Sequence, residues 1–311
     1  MFPDHSVLKL IAGTDPATLP AIKRVTIFGP GLIGGSIALA LRSRCPETFV
    51  AVWGRNQATL REISERGLAD SVTSDPTSSV GEADLIVFCT PIAVMPELAA
   101  TITPHLDPHT LITDAGSVKS SLVKKLSPIF GDRFLGAHPM AGSERSGLAA
   151  ARADLFVGAP CILTPLENAS PQTVAIISAF WNSLGSHVTM MTPEAHDRLV
   201  ARVSHLPHAL AFALVNLIAD TLPKDSCLLA GGSYRDGTRV AASDPDLWTG
   251  ILMDNRTEVA AALREMSDLL GLFAEKLEVE QTDSILDFLT RAKKHRDLRQ
   301  TSRTDSLPTN S

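Results

Sequence analysis

The sequence predicts an α/β protein, a doubly wound parallel sheet followed by an all-helical domain, on three observations. Short apolar runs alternate with stretches of helical period through about residue 190, as repeated βαβ units do. A glycine-rich turn, GPGLIGG, joins the first apolar run to the first helical stretch. After Pro193 the strand-like runs stop and long helical patterns take over. A length of 311 residues, at roughly 150 per domain, fits two domains.

Each element follows from its local pattern. RVTIF (24–28) is the first strand and leads into a helix over 32–44. TFVAVW (48–53) precedes a helix at 57–66, ADLIVFCT (83–90) one at 92–102, and TLITDAG (110–116) one at 118–127. RFLGAHPM (133–140) and APCILTP (159–165) are further strands; a helix at 171–184 and the strand HVTMM (187–191) complete the first domain. Helical periods then cover 194–221, 246–275 and 281–297. The expected organisation is an N-terminal extension (1–23), a dinucleotide-binding domain (24–192), a helical domain (193–297) and a disordered polar tail (298–311).

Composition excludes several classes. The chain is 44% hydrophobic and 20% charged, enough apolar material for sizeable cores. A formal charge of −6 gives no basic footprint for nucleic acid. Cys45, Cys89, Cys161 and Cys227 form no CxxC pair, which argues against a disulfide framework or zinc knuckle and for reduced thiols in the cytoplasm. The first 20 residues fit neither a signal peptide nor a membrane span. The cluster Arg291, Lys293, Lys294, Arg296 and Arg299 reads as a solvated helix end.

Gly29, Gly31 and Gly34 form GxGxxG between a strand and a helix, the context that makes this short motif a Rossmann-type dinucleotide site. The first glycine allows the turn, the second lets backbone approach a pyrophosphate, and the third permits close helix packing. Leu32 and Ile33 then open the helix, whose free N–H groups face the anion. The acid that holds a ribose at the end of the second strand is missing, for that strand ends Trp53-Gly54-Arg55-Asn56. Arg55 could pair with a 2′-phosphate, which favours NADP over NAD; otherwise it stacks on adenine or sits in solvent, and the ribose falls to backbone or Asn56.

Thr90 and Pro91, in CTP, and Ser117, in TDAGSVKS, lie at C-terminal strand ends, where open α/β sheets bind ligands. GAHPMAGSERSG (136–147) places His138 at another strand end, where Ser117 could orient it as a catalytic imidazole requires. Such a base would give activity that rises as a histidine loses its proton, within a unit or so of the ordinary imidazole value of about 6.5. VSHLPHAL sets His205 and His208 close together, but the sequence offers no third ligand for a metal. His205 is either a site residue or a packed core histidine. Trp248, after SDPDL, reads alone as core.

GPGLIGGS, DAGSVKS, GAHPMAGSE, SHLPHALAFAL and DGTRVAASDPDLW, in this order, closely resemble the prephenate/arogenate dehydrogenase family of tyrosine biosynthesis, over about residues 24–297. The resemblance implies an NAD(P)-dependent oxidative decarboxylation: prephenate would give 4-hydroxyphenylpyruvate, arogenate would give tyrosine. It implies that His138 accepts a hydrogen bond from the ring hydroxyl while Ser117 positions it, and that Arg239 binds a substrate carboxylate. By the same analogy Asp236 and Glu144 hold or gate that arginine, Ser204 and His208 face the substrate's side chain, and Trp248 lies near the site at a dimer contact. A homodimer, a small-molecule substrate, and neither membrane nor nucleic acid are expected. No additional mutase or regulatory domain is expected outside 24–297, so feedback by tyrosine would act at the active site itself.

Two rivals are weaker. A 3-hydroxyacid dehydrogenase would need a lysine early in the second domain, and none occurs between Lys125 and Lys224. A dinucleotide-binding protein without turnover would need a degraded site, whereas Ser117, His138, His208 and Arg239 are all present.

Overall fold

A computed structural model describes residues 9–10, 22–143, 145–223, 226 and 229–304, with backbone only for 9–10 and 298–304. Strands β1 (Lys9–Leu10), β2 (Arg24–Phe28), β3 (Phe49–Trp53), β4 (Ser71–Thr73), β5 (Leu85–Phe88), β6 (Leu111–Asp114), β7 (Phe134–Pro139), β8 (Pro160–Thr164) and β9 (His187–Met190) form one sheet in the order β1-β9-β8-β7-β6-β5-β2-β3-β4. Helices α1 (Leu32–Arg44), α2 (Gln57–Glu65), α3 (Met95–Ile102), α4 (Ser120–Phe130) and α5 (Pro171–Ser183) connect the strands.

The sheet is parallel except where β8 pairs with β7 and β1 with β9. Two strands lie outside the sequence expectation. The three residues of β4 have no apolar run to mark them, and β1 falls within the expected extension. Strand side chains alternate between faces. Val25, Ile27, Leu85 and Val87 pack on one side with Ile37, Phe180 and Trp181. Phe28, Ile86 and Phe88 pack on the other with Met95, Leu122 and Phe130. The chain leaves β2 outward to β3 and β4, then returns to β5 on β2's other side. That reversal opens a crevice at the carboxyl ends of β2 and β5.

From Pro193 onward the described chain is helical: α6 (Pro193–Val200), a π-helical turn (Ala201–His205), α7 (Leu206–Thr221), α8 (Gly232–Thr238), α9 (Pro245–Asp254), α10 (Arg256–Glu278) and α11 (Thr282–Thr304). The π turn precedes Pro207, which has no N–H to return to the carbonyl four residues back, and the Leu206 N–H reaches Ala201 O instead. The expected helix over 246–275 is interrupted at Asn255, which separates α9 from α10. Helix α11 continues through Thr304, so residues 298–304, expected in a disordered tail, are helical; 305–311 lie outside the described residues. Two compact units result, one through Val259 and one from Ala260. Helices α6 through α9 therefore belong with the sheet, although secondary structure changes character at 190–193. In the second unit Phe273 of α10 and Phe288 of α11 pair with ring centroids 4.8 Å apart.

Candidate active site

The glycine turn starts where β2 ends. Gly29 has φ +102°, and a Cβ there would lie 3.0 Å from the Cys89 carbonyl, so a side chain is excluded on two counts. At Gly34 a Cβ would collide with the Gly29 carbonyl oxygen, whereas at Gly31 it would meet nothing within 4 Å. The middle glycine thus faces open space, while the first and third face backbone. Helix α1 begins after Gly31 with no side-chain cap and no acid in its first turn, which leaves the N–H groups around Leu32 and Ile33 to an external acceptor. Across the crevice Thr90 Oγ1 is buried without a protein partner, and Pro91 follows it. This donor set fits a dinucleotide pyrophosphate.

At the end of β3, Arg55 is exposed and Gly54 is buried. A Cβ on Gly54 would press at 3.0 Å on the Pro30 ring of the glycine turn. Asn56 Oδ1 already accepts from Ala58 N (2.9 Å) and Thr59 N (3.1 Å) as the cap of α2, so its acceptor oxygen is engaged within the protein.

His138 lies near the carboxyl end of β7, beside the end of β6, and is only 8% exposed. Its Nδ1 is 2.8 Å from Nε2 of His196, and His196 Nδ1 is 2.8 Å from Asp197 Oδ1, both in α6. Asp197 also accepts the backbone N–H groups of Lys119 and Ser120 at the start of α4, each at 2.8 Å. Burial pushes its carboxyl up, but the bonds from His196, Lys119 and Ser120 outweigh this and hold it below the usual carboxylate range. Burial, reinforced by His196, Lys119 and His205, holds His138 well below the ordinary histidine value, so the ring is neutral.

The fully buried Lys119 ammonium pairs with Asp114 at the end of β6. Asp114 also accepts from Gly116 N (2.7 Å) and Ala137 N (3.1 Å), which ties the DAGSVK loop to the strand carrying His138. Burial lowers the Lys119 pKa against the attraction of Asp114.

On the helical side, Asn255 Nδ2 donates to Asp197 O (2.9 Å) and lies 3.2 Å from His205 Nδ1. His205 is buried, its Nε2 lacks a protein partner, and burial lowers its pKa to about 4. Its ring meets Trp248 edge-on at 6.0 Å, while His208 stacks on the same indole at 3.6 Å and 20°. His208 Nδ1–H donates to the Ser204 carbonyl (2.9 Å), leaving Nε2 outward. Burial depresses His208, and the charge of Arg239 depresses it further; the turn that Arg239 opens packs on α7, the helix carrying His208. Arg239 and Asp236 are exposed, the former opening a short 3₁₀ turn after α8.

Most of the expected residues therefore gather in two groups: Gly29, Gly31, Leu32, Ile33, Gly34, Thr90 and Pro91 at the crevice, and His138, Ser204, His208, Arg239 and Trp248 along the sheet's carboxyl edge and adjoining helices. Ser117 is half-buried in the same loop as Lys119, but among the described residues it makes no hydrogen bond to His138, whose Nδ1 faces His196. Glu144 lies outside the described residues. His196, Asp197, Lys119, Asp114 and Asn255 escaped the sequence reading. Consecutive His-Asp in a helix reading as amphipathic was the one available signal. No group of three metal-ligating side chains occurs among the described residues.

Residues 37–190 match the family described as prephenate dehydrogenase, nucleotide-binding domain, and residues 192–291 that described as prephenate dehydrogenase, dimerization domain. The chain is 33% identical over 282 residues to cyclohexadienyl dehydrogenase of Zymomonas mobilis, covering 89% of this chain and 96% of that one. Among solved structures it is similar to prephenate dehydrogenase from A. aeolicus in complex with hydroxyphenyl propionate and NAD+, with TM-score 0.84, 30% identity, and coverage of 89% and 98%. Synechocystis arogenate dehydrogenase superposes with TM-score 0.77 at 30% identity, covering 89% and 99%.

Proposed function

The chain belongs to the prephenate dehydrogenase family, and from that premise we propose that it oxidatively decarboxylates prephenate to 4-hydroxyphenylpyruvate with NAD(P). When bound, the nicotinamide supplies the acceptor for the hydride that leaves C4 of the ring as the C1 carboxylate departs as CO2 and the ring becomes aromatic. The observation that carries the reading is a neutral, buried His138 at the sheet's carboxyl edge, in a fold whose glycine turn is shaped for a pyrophosphate.

Positive charge builds at C4 as hydride leaves, so a lone pair on His138 directed at the C4 hydroxyl stabilises the transition state. Groups of this kind contribute ~10²- to 10⁴-fold. An imidazolium could not accept, and burial keeps the ring neutral. Arg239 offers a planar fork to a substrate carboxylate. His208, held by Trp248 and the Ser204 carbonyl, turns Nε2 towards the substrate's side chain. By the family resemblance Asp236 holds or gates the arginine, as does Glu144, which lies outside the described residues, and Ser117 contributes a hydroxyl from the loop that carries Lys119. The buried Thr90 hydroxyl and the α1 amides hold the cofactor, and Arg55 tips the choice to NADP.

Arogenate is the second reading, favoured by likeness to the Synechocystis enzyme. Purified protein assayed with prephenate or arogenate and with NAD or NADP, by absorbance of the reduced cofactor, separates the four combinations. Turnover is expected with prephenate; turnover with arogenate alone supports the second reading, and none in any combination overturns both. The cytosol is the expected setting, consistent with the free thiols Cys45, Cys89 and Cys161; Cys227 lies outside the described residues.

A further inference from the structure

We propose that Asp197 and His196 form a relay that fixes the tautomer of His138, so that its Nε2 always presents a lone pair. The relay follows from hydrogen-bond direction. Asp197, ionised and acceptor-only, can be met by His196 Nδ1 only as a donor. A neutral imidazole carries one N–H, so His196 Nε2 is an acceptor. The atom facing it at 2.8 Å, His138 Nδ1, must then donate, and His138 Nε2 is left bare. The result is the Nδ1–H form on both rings, set by a carboxylate two groups away from the reacting one.

The geometry around the pair suits such a device. His196 is fully buried, and no water competes for its nitrogens. Asp197 is pinned by the Lys119 and Ser120 amides, and its own carbonyl by Asn255, so its acceptor oxygen holds one position. His196 and Asp197 are positioning residues, acting through His138. As charge develops, the His138 Nδ1–H bond to His196 strengthens and the carboxylate stabilises both rings, with no proton leaving the relay.

The inference deepens the proposed reaction and rests on it for its catalytic meaning, but its test has a readout independent of turnover. In ¹⁵N-histidine-labelled wild type, long-range ¹H–¹⁵N correlation at neutral pH should show His138 and His196 both protonated on Nδ1. Asp197→Leu removes the acceptor that holds the His196 proton on Nδ1; Asn would not serve, because Oδ1 receives both His196 Nδ1 and the Lys119 amide while Oδ2 receives the Ser120 amide, so an Asn NH2 meets a backbone N–H in either orientation. With Leu in place, His196 is released to carry its proton on Nε2 and His138 its own on Nε2, and the substrate-facing nitrogen becomes a donor. For that variant kcat should fall by ~10²-fold or more while KM stays within about threefold. His196→Gln, whose Oε1 can accept from His138 Nδ1–H, should retain about tenfold more kcat than His196→Leu. A wild-type His138 protonated on Nε2 overturns the relay, even if Asp197→Leu fails to fold. A folded Asp197→Leu that keeps kcat within about threefold overturns it as well. If the tautomers are as expected but neither substrate turns over, the reaction reading falls and the relay stands.

Discussion

At the scale of single residues, the neutral state of His138 leads to two predictions. His138→Asn should lower kcat by ~10²-fold or more and leave cofactor affinity nearly unchanged, because the imidazole acts on charge that appears only in the transition state; kinetics together with cofactor titration check it. The acid limb of kcat/KM reports the free enzyme. Burial places His138 well below the ordinary 6.5, so the ring stays neutral as pH falls through 6.5, and activity should be lost only when pH drops through that depressed value. The midpoint near 6.5 expected from an ordinary imidazole is thus shifted to the acid side; a midpoint at or above 6.5 would contradict the buried, neutral ring. Arg239→Gln should chiefly raise KM, by ~10- to 100-fold if the lost charged hydrogen bonds contribute about 1.5 to 3 kcal/mol. An unaltered KM would move carboxylate recognition elsewhere.

At the scale of elements, we propose that the β3–α2 turn decides cofactor choice. Arg55→Ala should weaken NADP use more than NAD use, since only the 2′-phosphate pairs with the guanidinium. Placing an acid at Gly54 is not a clean converse, because its Cβ would push on Pro30 and disturb the pyrophosphate turn for both cofactors. Asn56→Asp is better. It keeps an acceptor oxygen for the Ala58 and Thr59 amides while adding a negative charge next to Arg55 in the chain, which would repel a 2′-phosphate bound by that guanidinium. The ratio of kcat/KM for NADP over NAD should fall in both variants, and an unchanged ratio would reduce Arg55 to a solvent residue. Elements of this half were largely legible, since βα alternation and GxGxxG depend on local pattern alone. Three-residue β4 and the break at Asn255 were not, because a lone edge strand and a helix interruption are settled by neighbours, not by period.

At the scale of the whole molecule, we propose a homodimer. Leu214 and Leu217 of α7 are 40% and 59% exposed, and in the second unit Leu270, Leu272, Leu277 and Leu286 are each more than half exposed. Exposed leucines in such number, on each unit taken by itself, offer apolar surface that a partner copy can cover. The run Pro193–Thr221 is apolar enough, at mean hydropathy 1.2, to pass by length and composition for a membrane span. A partner helix would bury the same side chains in water. Light scattering on the purified chain should give twice the monomer mass, and Leu217→Glu should shift the equilibrium to monomer. A wild type that is monomeric at micromolar concentration would refute the dimer.

What the sequence by itself determined was everything carried by short-range pattern: the strand–turn–helix of the cofactor crevice, the change to helices after Pro193, and the residue types at His138, His208 and Arg239. Tertiary structure alone decided which groups touch. His138 and His196 are 58 residues apart, and Asp197 reaches the Lys119 amide across 78. No periodicity encodes such a contact, because it exists only once α6 packs against the carboxyl edge of the sheet. Ser117, a neighbour by strand order, was the natural orienting group on paper. In the folded chain His196 occupies the Nδ1 side of His138, and the burial that brings the two rings together also keeps them uncharged.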